Sequence, residues 1–404
     1  MSAPSRPELI HTSPLNFSPD VVRDERIRSP LTITDCTLRE GQQAAEVAFS
    51  PDDEVEFALA LERLGVPVVQ VGYAGDDDAS VRRIRAACPS LALASLLVGW
   101  KADAPDAMRS TREAGADVCS VLFRSTDAHL DKLGYTRTTA VDRVQALVGQ
   151  ARAEGFREVA FGPSFSTLAD QDFLFQLYAG ALEAGATVIS LADSTGTAKP
   201  SVVRHIVERM RGLCDTAGVR VHMHNDLGLA MANTLAGIEA GADWIEVTVN
   251  GLGERAGNCP LEELVVALEA LYGVRLPIRS EGLFELSHLV SRLTNVDIPP
   301  MKPVVGADVF SNKLEIHIVA AEKDPTLMEP FDPVLAGNRR TIRLGRGTGP
   351  TGVRMKAGEL GLELPEDAVP AVVRAVNDWA VAHKRGVPDD AFAELVTSAG
   401  GRRG

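Results

Sequence analysis

Only five cysteines occur among 404 residues, at positions 36, 88, 119, 214 and 259, scattered and odd in number. No Cys-x-x-Cys pair is present, which argues against a disulfide framework and a thiolate zinc site and fits a reducing, cytoplasmic compartment. No apolar run reaches membrane-spanning length, so no membrane partner is expected. The first 30 residues hold no apolar signal core and are interrupted by Pro4, Pro7, Pro14 and Pro19. Basic residues are outnumbered 41 to 55, giving a formal charge of −14. This leaves no global basic stripe for nucleic acid, although a local site can invert the sign for a small anion. Missing too is the glycine-rich phosphate turn that usually follows the first strand of a doubly wound sheet. Asp35-Cys-Thr-Leu-Arg-Glu40 stands in its place.

What is present is a rhythm. Short apolar or β-branched runs alternate with stretches rich in Ala, Leu, Glu and Arg. The predicted strands are 31–37, 67–73, 91–98, 117–124, 158–163, 187–192, 219–224 and 244–249. Three turns repeat almost verbatim: Glu113-Ala-Gly-Ala-Asp117, Glu183-Ala-Gly-Ala-Thr187 and Glu239-Ala-Gly-Ala-Asp243. Each reads as a glycine-capped helix end feeding a strand. Eight strand–helix units predict an α/β chain folded as a (β/α)8 TIM barrel, with a doubly wound sheet as the weaker alternative. The expected organisation is an arm-like or disordered N-terminus over 1–29 and a catalytic barrel over 30–274. A proline-rich linker or lid extension follows over 275–335, with a helix near 282–293. A small helical subdomain occupies 336–400, and a disordered tail ends the chain.

Active sites of such barrels lie at the C-terminal ends of the strands. Strand one ends in Asp35, with Arg39, Glu40 and Gln43 just beyond. Strand seven ends in His222-Met-His224-Asn-Asp226. Residues two apart in a strand face the same side, so both imidazoles can address one ion. A carboxylate from strand one, taken to be Asp35, would complete a two-histidine, one-carboxylate set for a divalent metal such as Mg, Mn, Zn or Co. Two histidines could also simply hydrogen-bond inside a core.

Asp35-Cys-Thr-Leu-Arg-Glu-Gly-Gln-Gln43, His222-Met-His-Asn-Asp226 and Asn250-Gly-Leu-Gly-Glu-Arg-Ala-Gly-Asn258 together resemble the signatures of the homocitrate synthase / 2-isopropylmalate synthase family. These enzymes are metal-dependent, Claisen-condensing barrels related to hydroxymethylglutaryl-CoA lyase. The resemblance runs over about residues 30–350. It implies an acyl-CoA:2-oxo acid acyltransferase that joins acetyl-CoA, as co-substrate, to a 2-oxo acid, giving a malate-type product. It implies Asp35, His222 and His224 as metal ligands, with Asn258 as a further ligand or neighbour. Arg39 would polarise the 2-oxo carbonyl. Glu40 and Gln43 would order water and substrate. His317 would reach over a barrel mouth, often that of a partner in a homodimer, as candidate base. The turn holding Gly251, Gly253, Glu254, Arg255 and Gly257 would close on the acyl-CoA. Asn258 could also cap the helix that follows it, and Cys259 reads as a packed thiol.

The departures from the family pattern cluster where a substrate side chain would lie. Gln70 stands for a glutamate, and Ser120-Val-Leu122 stands for His-x-Ser, with Arg124 on the same face. Ser164-Phe165-Ser-Thr-Leu168 replaces a Glu-Asp-x-x-Arg-like run, Ser194 replaces threonine, and Met328 replaces tyrosine. The flanks of His317 differ as well, and Gly347-Thr-Gly349 replaces His-Ser-Gly. Leu122, Phe165 and Leu168 predict a more apolar or aromatic 2-oxo acid, phenylpyruvate being one example. Arg124 runs against this, since it could hold a distal anion. Two other readings remain: a 3-hydroxyacyl-CoA lyase of the same superfamily, and a barrel that binds metal and 2-oxo acid without turnover.

Overall fold

The computed structural model describes residues 6–214 and 216–403; the first five residues of the expected arm, with Pro4, and Gly404 lie outside it. Eight parallel strands close into a barrel in sequence order. They are β1 (Thr32–Asp35), β2 (Val68–Tyr73), β3 (Ala92–Val98), β4 (Val118–Arg124), β5 (Glu158–Ser164), β6 (Val188–Asp193), β7 (Gly218–Met223) and β8 (Trp244–Val247). Pairing of β1 with both β2 and β8 completes the ring. All strand limits fall within two residues of those predicted; β1 begins one residue later and stops at Asp35, because Cys36 turns the chain.

The ring of helices is α1 (Pro51–Leu64), α2 (Asp78–Ala87), α3 (Ala104–Ala114), α4 (Asp127–Leu133), α5 (Arg137–Ala153), α6 (Gln171–Glu183), α7 (Pro200–Leu213), α8 (Ala230–Glu239) and α9 (Leu261–Tyr272). The three repeated turns close α3, α6 and α8 in the same way. Gly115, Gly185 and Gly241 take φ of 111°, 99° and 107°. The next residues donate back one full turn, from Ala116 to Thr111, Ala186 to Ala181 and Ala242 to Gly237, at 2.9–3.1 Å. Asp117, Thr187 and Asp243 then accept from the backbone of the preceding strand: Leu93 N at 3.0 Å, Val159 N at 3.0 Å and Val219 N at 2.8 Å. This repeated fastening fixes the N-terminal face of the barrel and leaves the opposite face free for chemistry.

The two faces of the strands differ in chemistry. Ile33, Val69, Leu93, Cys119, Val159, Ile189, Val219 and Ile245 are buried in the main apolar core with the helices. Inside the barrel the buried residues include Gln70, Ser120, Ser190, Arg220 and Glu246. Arg220 on β7 crosses the interior to donate to Ser120 Oγ on β4, at 3.1 Å. Arg220 also donates to Ser190 Oγ at 3.1 Å, so these buried polar side chains hold one another in position.

The N-terminal segment is packed rather than loose from residue 6 onward. Arg6 pairs with Glu269 on α9 at 2.6 Å, and His11 N donates to Pro330 O at 2.8 Å. After the barrel come α10 (Leu283–Thr294), β9 (Ser311–Asn312), α11 (Glu315–Lys323), β10 (Thr341–Ile342), α12 (Pro350–Glu359), β11 (Leu362–Glu363), α13 (Val369–His383), α14 (Asp389–Ser398) and β12 (Arg402–Arg403). Leu344, Val353, Val372, Val376, Phe392 and Val396 form a second core. β9 pairs with β10, so a strand from the expected linker joins the C-terminal unit. The expected disordered tail is a strand instead: β12 pairs antiparallel with β11. Among the described residues no helix is long and apolar enough to cross a membrane.

Candidate active site

β1 delivers its chain to the barrel mouth and then bends sharply, with Arg39 N and Glu40 N both donating to Cys36 O, at 3.1 and 2.7 Å. The bend swings the Glu40 carboxylate toward the end of β7. Its oxygens lie 3.6 Å from His224 Nε2 and 3.8 Å from His222 Nε2, and the two Nε2 atoms are 3.2 Å apart. All three residues are buried, and they form the group among the described residues with the spacing of metal donors. Donors about 2.0–2.2 Å from one divalent ion, at angles of 90–120°, stand about 2.8–3.8 Å from each other. The cluster fits that requirement closely. The side-chain amide of Asn258 is 3.4 Å from His222 Nε2, and its Oδ1 is buried with no partner among the described residues.

Asp35, the carboxylate expected in this set, sits elsewhere. It is fully buried, and its oxygens accept from Thr37 N at 2.9 Å and Thr37 Oγ1 at 3.0 Å. Burial, against those two bonds, pushes its pKa up to about 7. The same Thr37 hydroxyl accepts from Val249 N at 2.8 Å, so Asp35 ties β1 to the segment after β8. The difference lies in the length of the bend: the strand's last carboxylate closes a local turn, and the one five residues on reaches the histidines.

Burial works against ionisation of Glu40, yet Arg39 and the two histidines hold its pKa below the ordinary range. Burial and the neighbouring His222 push His224 down to about 3, so its ring is neutral and has a lone pair to give. Glu246 on β8 holds His222 Nδ1 at 2.9 Å, turning Nε2 toward the cluster. Glu246 is in turn paired with Arg220 at 3.0 Å. Despite burial, Arg220 and His222 keep the Glu246 pKa well below the usual range. Arg39 forms a very short ion pair with Glu40 and donates from Nε to Gln70 Oε1 at 2.5 Å. Burial opposes its charge, but Glu40 more than compensates, so it is a permanent cation.

These groups border a cavity of 420 Å³ at the C-terminal mouth. Gln43, Leu122, Arg124, Ser164, Phe165, Ser194, Glu254 and Arg255 line it, as do Tyr73 and Arg220. Of the other residues expected around a substrate, Gln70 lies beneath Arg39 and Ser120 beneath Arg220, both fully buried. Leu168 does not reach the cavity: it is 55% exposed on the short turn after β5. His317 is on α11, away from the cavity of its own chain.

The turn after β8 is shaped by its glycines. A Cβ on Gly253 would overlap Asn258 Oδ1, and one on Gly257 would overlap Gly251 O. Asn250 and Arg255 adopt φ of 61° and 59° to complete it. Arg255 anchors the turn to Asp226 and to Ser194 O, each at 2.7 Å. The helix N-cap position belongs to Pro260, so Asn258 is free of capping.

The sequence reading passed over Arg220, Glu246 and Tyr73. The first was signalled by alternation, since Arg220, His222 and His224 share one face of β7. Glu246 was signalled by a lone charge in an otherwise apolar strand.

Residues 30–290 match the HMGL-like family, and residues 304–384 match the homocitrate synthase post-HMGL domain-like family. The chain is 35% identical over 390 residues to "Homocitrate synthase AksA" of Methanopyrus kandleri, covering 95% of this chain and 96% of that protein. It is 35% identical over 347 residues to "Probable 2-isopropylmalate synthase" of the same organism, covering 86% and 69%. Among solved structures, the HMG-CoA lyase of Bacillus subtilis superposes with a TM-score of 0.60 at 17% identity, covering 68% of this chain and 96% of that one. At that identity the likeness concerns the fold.

Proposed function

Because the chain belongs to the HMGL-like family, we propose that it is a metal-dependent acyltransferase condensing acetyl-CoA with a 2-oxo acid to a 2-substituted malate-type product. The observation that carries this reading is the buried Glu40–His222–His224 cluster beside Arg39, opening on one cavity. Glu40, His222 and His224 would hold a divalent ion, with Asn258 beside it. When bound, the ion supplies Lewis acidity to a chelated 2-oxo group. Arg39 contributes a fixed positive charge next to the carbonyl oxygen, held in place by Glu40 and Gln70 before substrate arrives. Arg220 and Glu246 keep His222 in one tautomer and orientation. The Gly251–Gly257 turn, locked by Arg255, forms the wall on which the acyl-CoA would lie. The cavity opens at the barrel mouth, so water can reach the CoA thioester that condensation would form, and its hydrolysis would release the free CoA.

The family relatives support the reaction class, and the lining supports part of the expected selectivity. Leu96, Val121 and Leu122 offer an apolar wall for an alkyl chain. Leu168 is not part of that wall. The test is a thiol-release screen of acetyl-CoA against a panel of 2-oxo acids. CoA release that requires both a 2-oxo acid and a metal supports the synthase. Release that persists in chelator, or CoA-thioester cleavage in place of condensation, overturns it.

His317 enters this reading through a second copy of the chain. Ile316 is 71% exposed and Leu327 66% exposed around it, an apolar surface suited to a homodimer. A mixture of His317→Ala and Glu40→Gln chains would then regain activity that neither has alone. Activity that fails to return in a verified mixed dimer removes His317 from the partner's site.

A further inference from the structure

Four arginines line the cavity, and three of them are already neutralised by carboxylates. Arg39 is paired with Glu40, Arg220 with Glu246, and Arg255 with Asp226 and Glu254. Arg124 has no carboxylate partner among the described residues. It is half-buried, and Glu254, the acid that acts on it across the cavity, is bound to Arg255 at 3.0 Å.

Arg124 is nonetheless firmly mounted. Its guanidinium lies 4.5 Å from the ring centroid of Trp100 and 5.4 Å from that of Phe165. Nη1 donates to Ser164 Oγ at 3.1 Å, and Ser164 donates onward to Phe123 O at 3.1 Å. Phe165 holds its place at some cost. Its φ of 61° is unusual for an aromatic residue, its N–H is fixed by Ser194 Oγ at 2.8 Å, and its ring stacks on His129 at 4.5 Å. Aromatic faces favour a cation but accept its N–H donors only weakly. One hydrogen bond out of five donors leaves the others for something in the cavity.

Position supplies the remaining argument. In the closed ring β4 lies three strands from β1 one way and three from β7 the other. Arg124, at the end of β4, therefore faces the Glu40–His222–His224 cluster across the mouth. A 2-oxo acid held at the cluster would extend its side chain past Leu122 toward this guanidinium.

We propose that Arg124, clamped between Trp100 and Phe165, binds a terminal oxyanion on the substrate side chain, so that the site selects 2-oxo acids with an alkyl chain ending in a carboxylate or phosphonate. This rests on the synthase reading for the identity of the other end of the substrate. It replaces a purely apolar or aryl side chain with an anionic one. Ser164 is the positioning residue for Arg124, and Phe165 closes the clamp.

The test compares wild type with Arg124→Leu and Arg124→Lys, all with added divalent metal. Thiol release and calorimetric binding are measured with 2-oxoglutarate, 2-oxoadipate, 3-phosphonopyruvate and the uncharged 2-oxohexanoate. Arg124→Leu is expected to lower kcat/KM and affinity for the anion-terminated acids about 10- to 150-fold, the range for a hydrogen bond between charged groups. The value for 2-oxohexanoate should stay level or rise, and Arg124→Lys should recover part of the loss. The carboxylate and phosphonate arms tell which oxyanion the clamp prefers. An unchanged ratio between charged and uncharged acids in Arg124→Leu overturns the assignment while leaving the synthase reading intact. Arg124-dependent binding with no thiol release from any pair does the reverse. Neutral acids preferred by wild type, or no binding of any acid, overturn the assignment.

Discussion

Glu246 Oε2 stands 2.9 Å from His222 Nδ1, joining a carboxylate on the last barrel strand to a ring on the strand before it. The contact decides which nitrogen of His222 is free, and so whether the cluster can accept a metal at all. Replacing Glu246 by Gln keeps the shape and removes the charge. Metal affinity of the metal-free protein, measured by calorimetry, should fall about 10- to 100-fold, as for other partners of ligating histidines. An affinity unchanged within error would show that His222 is oriented by packing alone.

Glu40 and Asp35 separate cleanly by substitution. Glu40→Gln should abolish divalent-metal binding, while Asp35→Asn, whose target is only the Thr37 turn, should leave affinity within about threefold, because one charged donor among three accounts for most of such a site. Loss of metal from Asp35→Asn with retention in Glu40→Gln would reverse the assignment.

Asp35 also gives the stability a pH dependence. Its folded pKa of about 7 lies above the unfolded value, so the native state binds the proton more tightly. That stabilisation is complete below about pH 4 and is lost as pH rises through 7, by at most roughly 4 kcal/mol. Asp35→Asn should therefore gain stability relative to wild type between pH 5 and pH 8 in urea titrations of the metal-free protein. A relative stability that is flat with pH would mean that Asp35 is ionised throughout.

Gly253→Ala puts a methyl group where Asn258 Oδ1 lies. The turn must open or Asn258 must move, and kcat/KM for the acyl-CoA should drop at least about tenfold, since small displacements of positioning groups are costly to catalysis. Circular dichroism should be unaltered. Full activity in this variant would show that the turn tolerates opening.

Lys302 anchors the extension to the barrel through Glu262 at 3.0 Å and Glu263 at 2.8 Å. Glu262 is almost wholly buried and also accepts from Asn250 N at 3.0 Å, at the start of the glycine turn. Lys302→Met leaves that carboxylate buried without its cation, a loss of about 3–5 kcal/mol. A lower first unfolding transition and a higher KM for acetyl-CoA should appear together. A fall in stability without a change in KM would confine Lys302 to a structural role.

The barrel was legible because its signals are local and repeated. Periodicity named eight strands, and the three Glu-Ala-Gly-Ala turns announced where helices hand over to strands. The two histidines were legible because residues two apart on a strand share a face. The partner carboxylate was not, since Asp35 and Glu40 differ only in how a bend beyond β1 aims them, and a bend has no period. Arg124 shows a similar limit. Its position at a strand end was readable, but its want of a counter-ion depends on Arg39, Arg220 and Arg255 each having found one, which only the closed barrel reveals. Leu168 failed for the opposite reason: it follows β5, and the turn carries it out to solvent.

Closure of the ring also sets an order in time. β8 sits between the strand that carries the histidines and the strand that leads to Glu40. Until residues 244–247 insert, the donors are on opposite flanks of an open sheet. An emerging chain that ends before this strand can be well folded along most of its length and still have no centre to load. The last strand of the barrel is thus the keystone that brings Glu40 and the two histidines to one point.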